Sequence, residues 1–209
     1  MKQLLVLGPK GGVGKTTMVR NLAVCAALSG YAAATLDTDR QGTLTEWHDL
    51  RPDSLQPIRN FPFPFREITS APEPMDGVDL LIIDTPASVE DHPEALRVLV
   101  KAADFILLPS GVRGEEMRSL RGTLNALREF GRPMGVVLNI IKPNLTETRA
   151  AHRGLSVGVD VASVGLPDLA EVHRTYDAGI GVVEMRGAKA ADPMWKIWHF
   201  VSERMGMVQ

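Results

Sequence analysis

The sequence predicts an α/β fold, a mostly parallel central sheet flanked by helices on both faces, and three observations predict it. Six apolar runs of strand length, at residues 3–7, 32–37, 80–84, 105–109, 135–140 and 158–164, alternate with stretches of helical spacing. The first run passes through a glycine-rich turn directly into an apolar segment of helix length. The second and third runs both end in aspartate. Continuous apolar strands of this kind are buried on both faces, as parallel strands under crossover helices are.

Length and composition set the frame. At 209 residues with 44% hydrophobic side chains, residues 1–209 are expected to form one domain with a substantial core. Lys and Arg number 23 against 25 Asp and Glu, so no global charge points to a nucleic-acid or membrane partner. Residues 1–110 carry 10 basic and 14 acidic side chains, leaving 13 and 11 for residues 111–209, a weak basic tilt toward the C-terminal end. The one cysteine, Cys25, excludes a disulfide or a two-cysteine metal site within the chain and fits a reducing cytoplasm. The opening MKQLLVLGPKGG has too short an apolar run for a signal peptide or a membrane span, so a soluble, unexported protein is expected.

Taken in order, residues 3–7 form the first strand and the segment after Lys15 the first helix. Residues 32–37 and 80–84 form strands that end at acidic groups. Between them, residues 51–74 are rich in proline and carry the cluster FPFPF, which resists helix and suggests a covering loop or an edge strand. After the strand at 105–109, Met117, Leu120, Leu124 and Leu127 recur at steps of three or four and make one helix face. Met194, Trp198, Val201 and Met205 do the same near the end of the chain. The remaining strands are residues 135–140 and 158–164.

The turn LGPKGGVGKTT places GxxxxGK[ST] between a strand and a helix, the context that defines a Walker A phosphate loop. Gly11, Gly12 and Gly14, with Val13, let backbone N–H groups turn inward around phosphate oxygens, and the helix N-terminus at Lys15, Thr16 and Thr17 adds its positive end. Lys15 would reach the β- and γ-phosphates, and the Thr16 hydroxyl would ligate Mg2+. In DTDRQGT, Asp37 and Asp39 flank a threonine at a strand end. In an extended chain both point to one side, where they can serve a magnesium ion or orient a water; equally, they can form an Asx-rich turn capping a helix near Leu44. Asp84, ending VDLLIID, has the form of a Walker B carboxylate that supports the metal. Together these ends imply a Mg-ATP site and in-line attack of water on the γ-phosphate.

A second lysine, Lys10, gives KGGVGKT, and with DTDRQG and LLIIDTP the chain resembles the deviant Walker A ATPases of the ParA/MinD family from the first strand to at least Asn139. The resemblance implies that Lys10 crosses a nucleotide-sandwiched homodimer to the partner's ATP, that Asp39 positions the catalytic water, and that Asp37 and Asp84 support magnesium. It also implies that Asn139 reads adenine, although a turn residue is an alternative there. Two departures stand out. Arg40 occupies a position usually held by proline, and PSGVRGEEM, residues 109–117, replaces a more apolar loop.

Within this family the short members resemble ParA-type partition and positioning ATPases, cytoplasmic and nucleoid-associated. Their ATP dimers bind DNA without reading sequence and are stimulated by a ParB-like or cargo adaptor protein. Arg174, Arg186, Lys189 and Lys196 are the candidate phosphate contacts here, each equally readable as a solvated surface charge. A MinD-like membrane ATPase would need a basic amphipathic C-terminal helix, whereas DPMWKIWHFVSERMGMVQ carries a core stripe and reads as a packing helix. A metabolic ATP-dependent synthetase would need a substrate constellation, and the five histidines, His48, His92, His152, His173 and His199, are scattered without metal-ligand spacing.

Overall fold

The computed structural model describes residues 1–8, 10–142 and 146–207. Its strands are β1 (Lys2–Val6), β2 (Ala33–Asp37), β3 (Arg59–Pro62), β4 (Leu80–Asp84), β5 (Phe105–Ser110), β6 (Met134–Ile141), β7 (Asp160–Val161) and β8 (Leu166–Pro167). They form one sheet in the order β3-β2-β4-β1-β5-β6, with β7 and β8 both paired to β6, and every pairing is parallel. The helices are α1 (Lys15–Leu28), α2 (Thr43–Asp49), α3 (Pro93–Ala102), α4 (Gly114–Arg128), α5 (Thr146–Leu155), α6 (Ala170–Asp177) and α7 (Ala191–Arg204).

The apolar runs explain the layering. β2, β4 and β5 are buried along their whole lengths, so successive side chains feed opposite faces. One core lies between the sheet and α1 and α7: Leu4, Ile82 and Leu107 meet Leu22, Met194 and Trp198. The other lies under α3, α4 and α5, where Leu5, Ile83 and Leu108 meet Leu99, Leu124 and Leu155. Cys25 sits wholly inside the first core, and burial pushes its thiol well above the usual range. The α7 stripe is spent on packing, with Trp198 edge-on to Tyr31 and its indole N–H donated to Ser29 Oγ at 2.9 Å. No helix among the described residues is long and apolar enough to cross a membrane.

The proline-rich segment contributes an edge strand. β3 adds to the outside of β2 as an edge strand, a place where its one proline, Pro62, is tolerated. Its lead-in is pinned by Arg51, which donates to Glu184 at 2.6 and 3.0 Å and to the carbonyls of Gly179 and Gln56, with both charged side chains almost fully buried. The expected strand at 158–164 shrinks to the two-residue β7, and β8 begins only beyond it, at Leu166, after a bend. Gly165 lies close against the Leu138 backbone, where a larger residue could not fit.

Candidate nucleotide site

The C-terminal ends of β1, β4 and β2 are adjacent in the sheet, so the loop after each opens onto the same edge, where ligands of open α/β sheets bind. The glycine-rich loop leads from β1 to α1. Gly12 and Gly14 both adopt positive φ, 78° and 82°, which a side chain would strain. Gly14 caps α1 without any side-chain hydrogen bond, and the first turn holds no acidic residue. The helix therefore presents uncapped amides and its positive end to whatever anion the loop encloses. Pro9 of this loop lies outside the described residues.

Lys15 is buried beneath the loop, its Nζ 3.5 Å from the Lys10 carbonyl. Burial lowers its pKa, and the nearby carboxylates of Asp84, Asp39 and Glu90 oppose that shift. Thr16 donates its hydroxyl to Asp84 Oδ2 at 2.6 Å. The other oxygen, Asp84 Oδ1, is buried and has no hydrogen-bond partner among the described residues. Burial pushes the Asp84 pKa up to about 7; the Thr16 hydrogen bond and Lys15 oppose it, and Asp37 adds to it. A desolvated carboxylate with one free oxygen beside a helix-start hydroxyl fits the outer shell of a divalent cation, which would supply the missing partner.

Asp37 is engaged by its own loop. Its Oδ2 accepts from the backbone N–H and hydroxyl of Thr45 at 2.9 and 2.8 Å, and its Oδ1 accepts from Asp39 N–H at 3.2 Å. The chain leaves the strand at Asp37, so the extended geometry that would pair it with Asp39 ends there. Both oxygens are occupied in clasping the loop to α2, the helix-capping alternative. Asp39 remains partly open, one oxygen accepting from Gln41 N–H at 3.0 Å. Thr38 bridges the strand ends by donating its hydroxyl to the Asp84 carbonyl at 2.5 Å, a contact that sequence reasoning missed.

Asn139 has a structural contact of its own. It is buried, and its Nδ2 donates to the Val13 carbonyl at 2.7 Å, so it also props the phosphate loop from below. Beside it, at an irregularity within β6, Ile140 has a φ of 54°, which makes it the one non-glycine residue in the left-handed region among those described. Lys10, by contrast, is exposed at the loop tip, 3.7 Å from the exposed Glu115 at the start of α4. Glu115 belongs to the unusual 109–117 stretch, and only the fold brings it to Lys10. Of the candidate DNA contacts, Lys196 is paired with Asp192 at 2.7 Å, while Arg174, Arg186 and Lys189 are exposed without an ion pair among the described residues. No cluster of three metal-ligating side chains occurs among the described residues.

A strand, a glycine loop, a buried lysine at a helix start and an aspartate on the neighbouring strand define a P-loop nucleotide-binding protein. Residues 4–182 match the model of the CobQ/CobB/MinD/ParA nucleotide binding domain, and the chain belongs to that family as a ParA/MinD-type ATPase. It is 30% identical over 197 residues to the maintenance of carboxysome distribution protein A of Gloeobacter kilaueensis, covering 90% of this chain and 86% of that one. Similar solved structures include the ATP complex of a Cyanothece McdA variant, at 19% identity and a TM-score of 0.76, covering 100% and 98% of the two chains. MinD from Pyrococcus horikoshii with Mg-ADP reaches 16% and 0.76, covering 99% and 98%. A plasmid partition protein of Borrelia burgdorferi bound to AMPPNP reaches 14% and 0.74, covering 97% and 99%.

Proposed function

We propose that residues 1–209 act as a single P-loop domain that binds Mg-ATP, dimerises around it, binds DNA without sequence preference in that state, and positions a cargo through cycles of hydrolysis. The observation that carries this reading is the division of labour between two lysines of one loop. Lys15 is buried against its own phosphate site, whereas Lys10 is turned outward and, among the described residues, is tethered by a long, exposed pair to Glu115. Such a pair contributes little, so Lys10 is free to swing toward the nucleotide of a second copy. A cation supplied in trans acts as an arginine finger does.

In this reading Thr16 and Asp84 hold the magnesium ion, which neutralises charge on the phosphates, and Lys15 with the α1 amides holds the β- and γ-phosphates. Asp39 orients a water whose oxygen bonds to the γ-phosphorus as the bond to the bridging oxygen breaks, releasing ADP and phosphate. Asp37 and Asn139 hold the two loops in place for that attack, and Asn139 keeps its Oδ1 and second N–H for adenine while its first N–H holds Val13. A partner adaptor would accelerate the step. The name of the 30% identical relative supports a positioning role with a protein assembly as cargo. Arg174, Arg186 and Lys189 are the DNA-phosphate candidates; Lys196 is weaker because Asp192 already neutralises it.

Binding to nonspecific duplex DNA tests the proposal, measured with ADP, with ATP, and with ATP for Lys10→Ala, at two salt concentrations. Salt-sensitive binding by the wild type with ATP alone supports it. Absence of DNA binding in every state removes the DNA step and leaves the ATPase.

A further inference from the structure

At the edge of the sheet, where β6 meets the bend between β7 and β8, lies a pocket of about 450 Å3 that shares no residue with the nucleotide site. Its apolar lining is Leu138 and Ile141 of β6, Val164 of the bend, and Pro193 in the first turn of α7. The surrounding elements are tied to one another. Thr148 on α5 donates its hydroxyl to the Lys142 carbonyl at 3.0 Å, and His152, one turn on, donates from Nε2 to the Ala162 carbonyl at 3.1 Å. Gly165 already lies against the Leu138 backbone. These contacts fix α5 and the bend relative to β6 whatever the pocket holds, so the space between them is built into the fold.

The charge around this space has one sign. Arg149 and Arg153 line it from α5, both exposed and one turn apart, and no aspartate or glutamate lines it. Neither arginine is in an ion pair among the described residues. Like charges four residues apart disfavour the helix that carries them, and an anion held between them removes that cost. We propose that the pocket binds a small organic carboxylate with a compact apolar body. The two guanidinium groups take the charged end, and Leu138, Ile141, Val164 and Pro193 surround the body.

A guanidinium matches a carboxylate through paired N–H donors, and these charge-assisted hydrogen bonds are stronger than neutral ones. The aliphatic stems of the arginines extend the apolar surface over the ligand. The volume lies in the range that encloses a small molecule. Duplex DNA is a poorer match for the same two residues. Phosphate contacts need cations on an open surface and gain nothing from an aliphatic recess beneath them. A free phosphate ion likewise leaves the four apolar residues wet. Two unneutralised guanidinium groups at an apolar recess select a ligand that has both halves.

The test uses the full chain with excess Mg-ADP, which keeps an added anion out of the phosphate loop. Benzoate, 2-naphthoate and hexanoate are titrated in, beside the amides of the same three acids and inorganic phosphate. Binding is read by saturation-transfer NMR in wild type, in the double variant Arg149→Glu, Arg153→Glu, in the pocket-filling Ser163→Phe, and in the distant control Arg97→Glu. The expected result is saturable binding of at least one carboxylate with a Kd of about 1 mM or below, and of its amide at least tenfold more weakly. The double variant should weaken the carboxylate at least tenfold and Ser163→Phe should abolish its binding, while Arg97→Glu leaves it unchanged. No saturable carboxylate binding, equal affinity for acid and amide, or equal weakening in Arg97→Glu overturns the proposal, and the first two of these need no variant to fold. Loss of DNA binding in the double variant, with no carboxylate bound by wild type, overturns it in favour of phosphate contacts.

Discussion

The amide of Asn139 occupies the space that a side chain on Gly14 would need, and from there it holds the Val13 carbonyl at 2.7 Å. One contact thus joins the end of β6 to the turn that starts α1. Gly14→Ala should fold but lose nucleotide affinity by tenfold or more, since the new methyl meets Asn139 in a backbone region that disfavours it. Asn139→Ala should weaken binding less, because it removes a hydrogen bond worth roughly 1 kcal/mol and leaves the glycine turn intact. Titration with a fluorescent ATP analogue ranks the two, and the reverse order would show that Asn139 acts on the nucleotide itself.

Asp84 makes the nucleotide-free protein sensitive to pH in a defined direction. Its folded pKa, about 7, lies above its ordinary value of 3.8, so the fold binds a proton that the unfolded chain releases. The stability this contributes is complete below about pH 4 and is lost as pH rises through about 7. Thermal melts without nucleotide should therefore show wild type losing several degrees relative to Asp84→Asn between about pH 5 and pH 8. Parallel curves for the two proteins would contradict the desolvated carboxylate.

Asp37 and Asp39 should separate cleanly on mutation. Asp37→Ala removes three hydrogen bonds to a buried carboxylate, so a loss of roughly 2 to 3 kcal/mol and a fall of about 5 to 10 °C in Tm are expected. Asp39→Ala should melt within about 2 °C of wild type, still bind ATP, and hydrolyse it about 100-fold more slowly or worse. Melting curves with single-turnover hydrolysis distinguish them.

Glu184→Ala should be among the more damaging changes far from the nucleotide. It strands Arg51 in a site where both side chains are nearly solvent-free, which costs about 3 to 5 kcal/mol. The fall in Tm should be about 10 °C with nucleotide affinity unchanged. A loss below about 1 kcal/mol, the range of solvated pairs, would mean that water reaches Arg51 readily.

What was legible in the chain was whatever is set by neighbours in sequence. The phosphate loop, Thr16 and Asp84 follow from a strand, a glycine turn and a helix in succession, and the stripes of α4 and α7 follow from helical periodicity. Alternation sets Asp37 beside Asp39 only if the strand runs on through Thr38; β2 ends at Asp37, and the clasp of its carboxylate on Thr45 and the Asp39 amide is not visible from alternation. Nothing local marks the 3.7 Å approach of Glu115 to Lys10, or the reach of Asn139 across 126 positions to Val13. Both depend on how β5 and β6 lie beside β1. The shortening of the 158–164 strand was hidden as well, because the bend before Gly165 answers to the Leu138 backbone rather than to its own sequence.

The placement of Cys25 has a practical sequel. The chain's single thiol is sealed in the core beneath α7 and held in its unreactive, protonated form, so it should ignore a maleimide dye for as long as the protein stays folded. A cysteine introduced at an exposed position such as Ser54 would then be the sole point of labelling. The native sequence is thus already a dark background on which the proposed pairing of two copies can be tested by energy transfer, with no residue needing to be removed first.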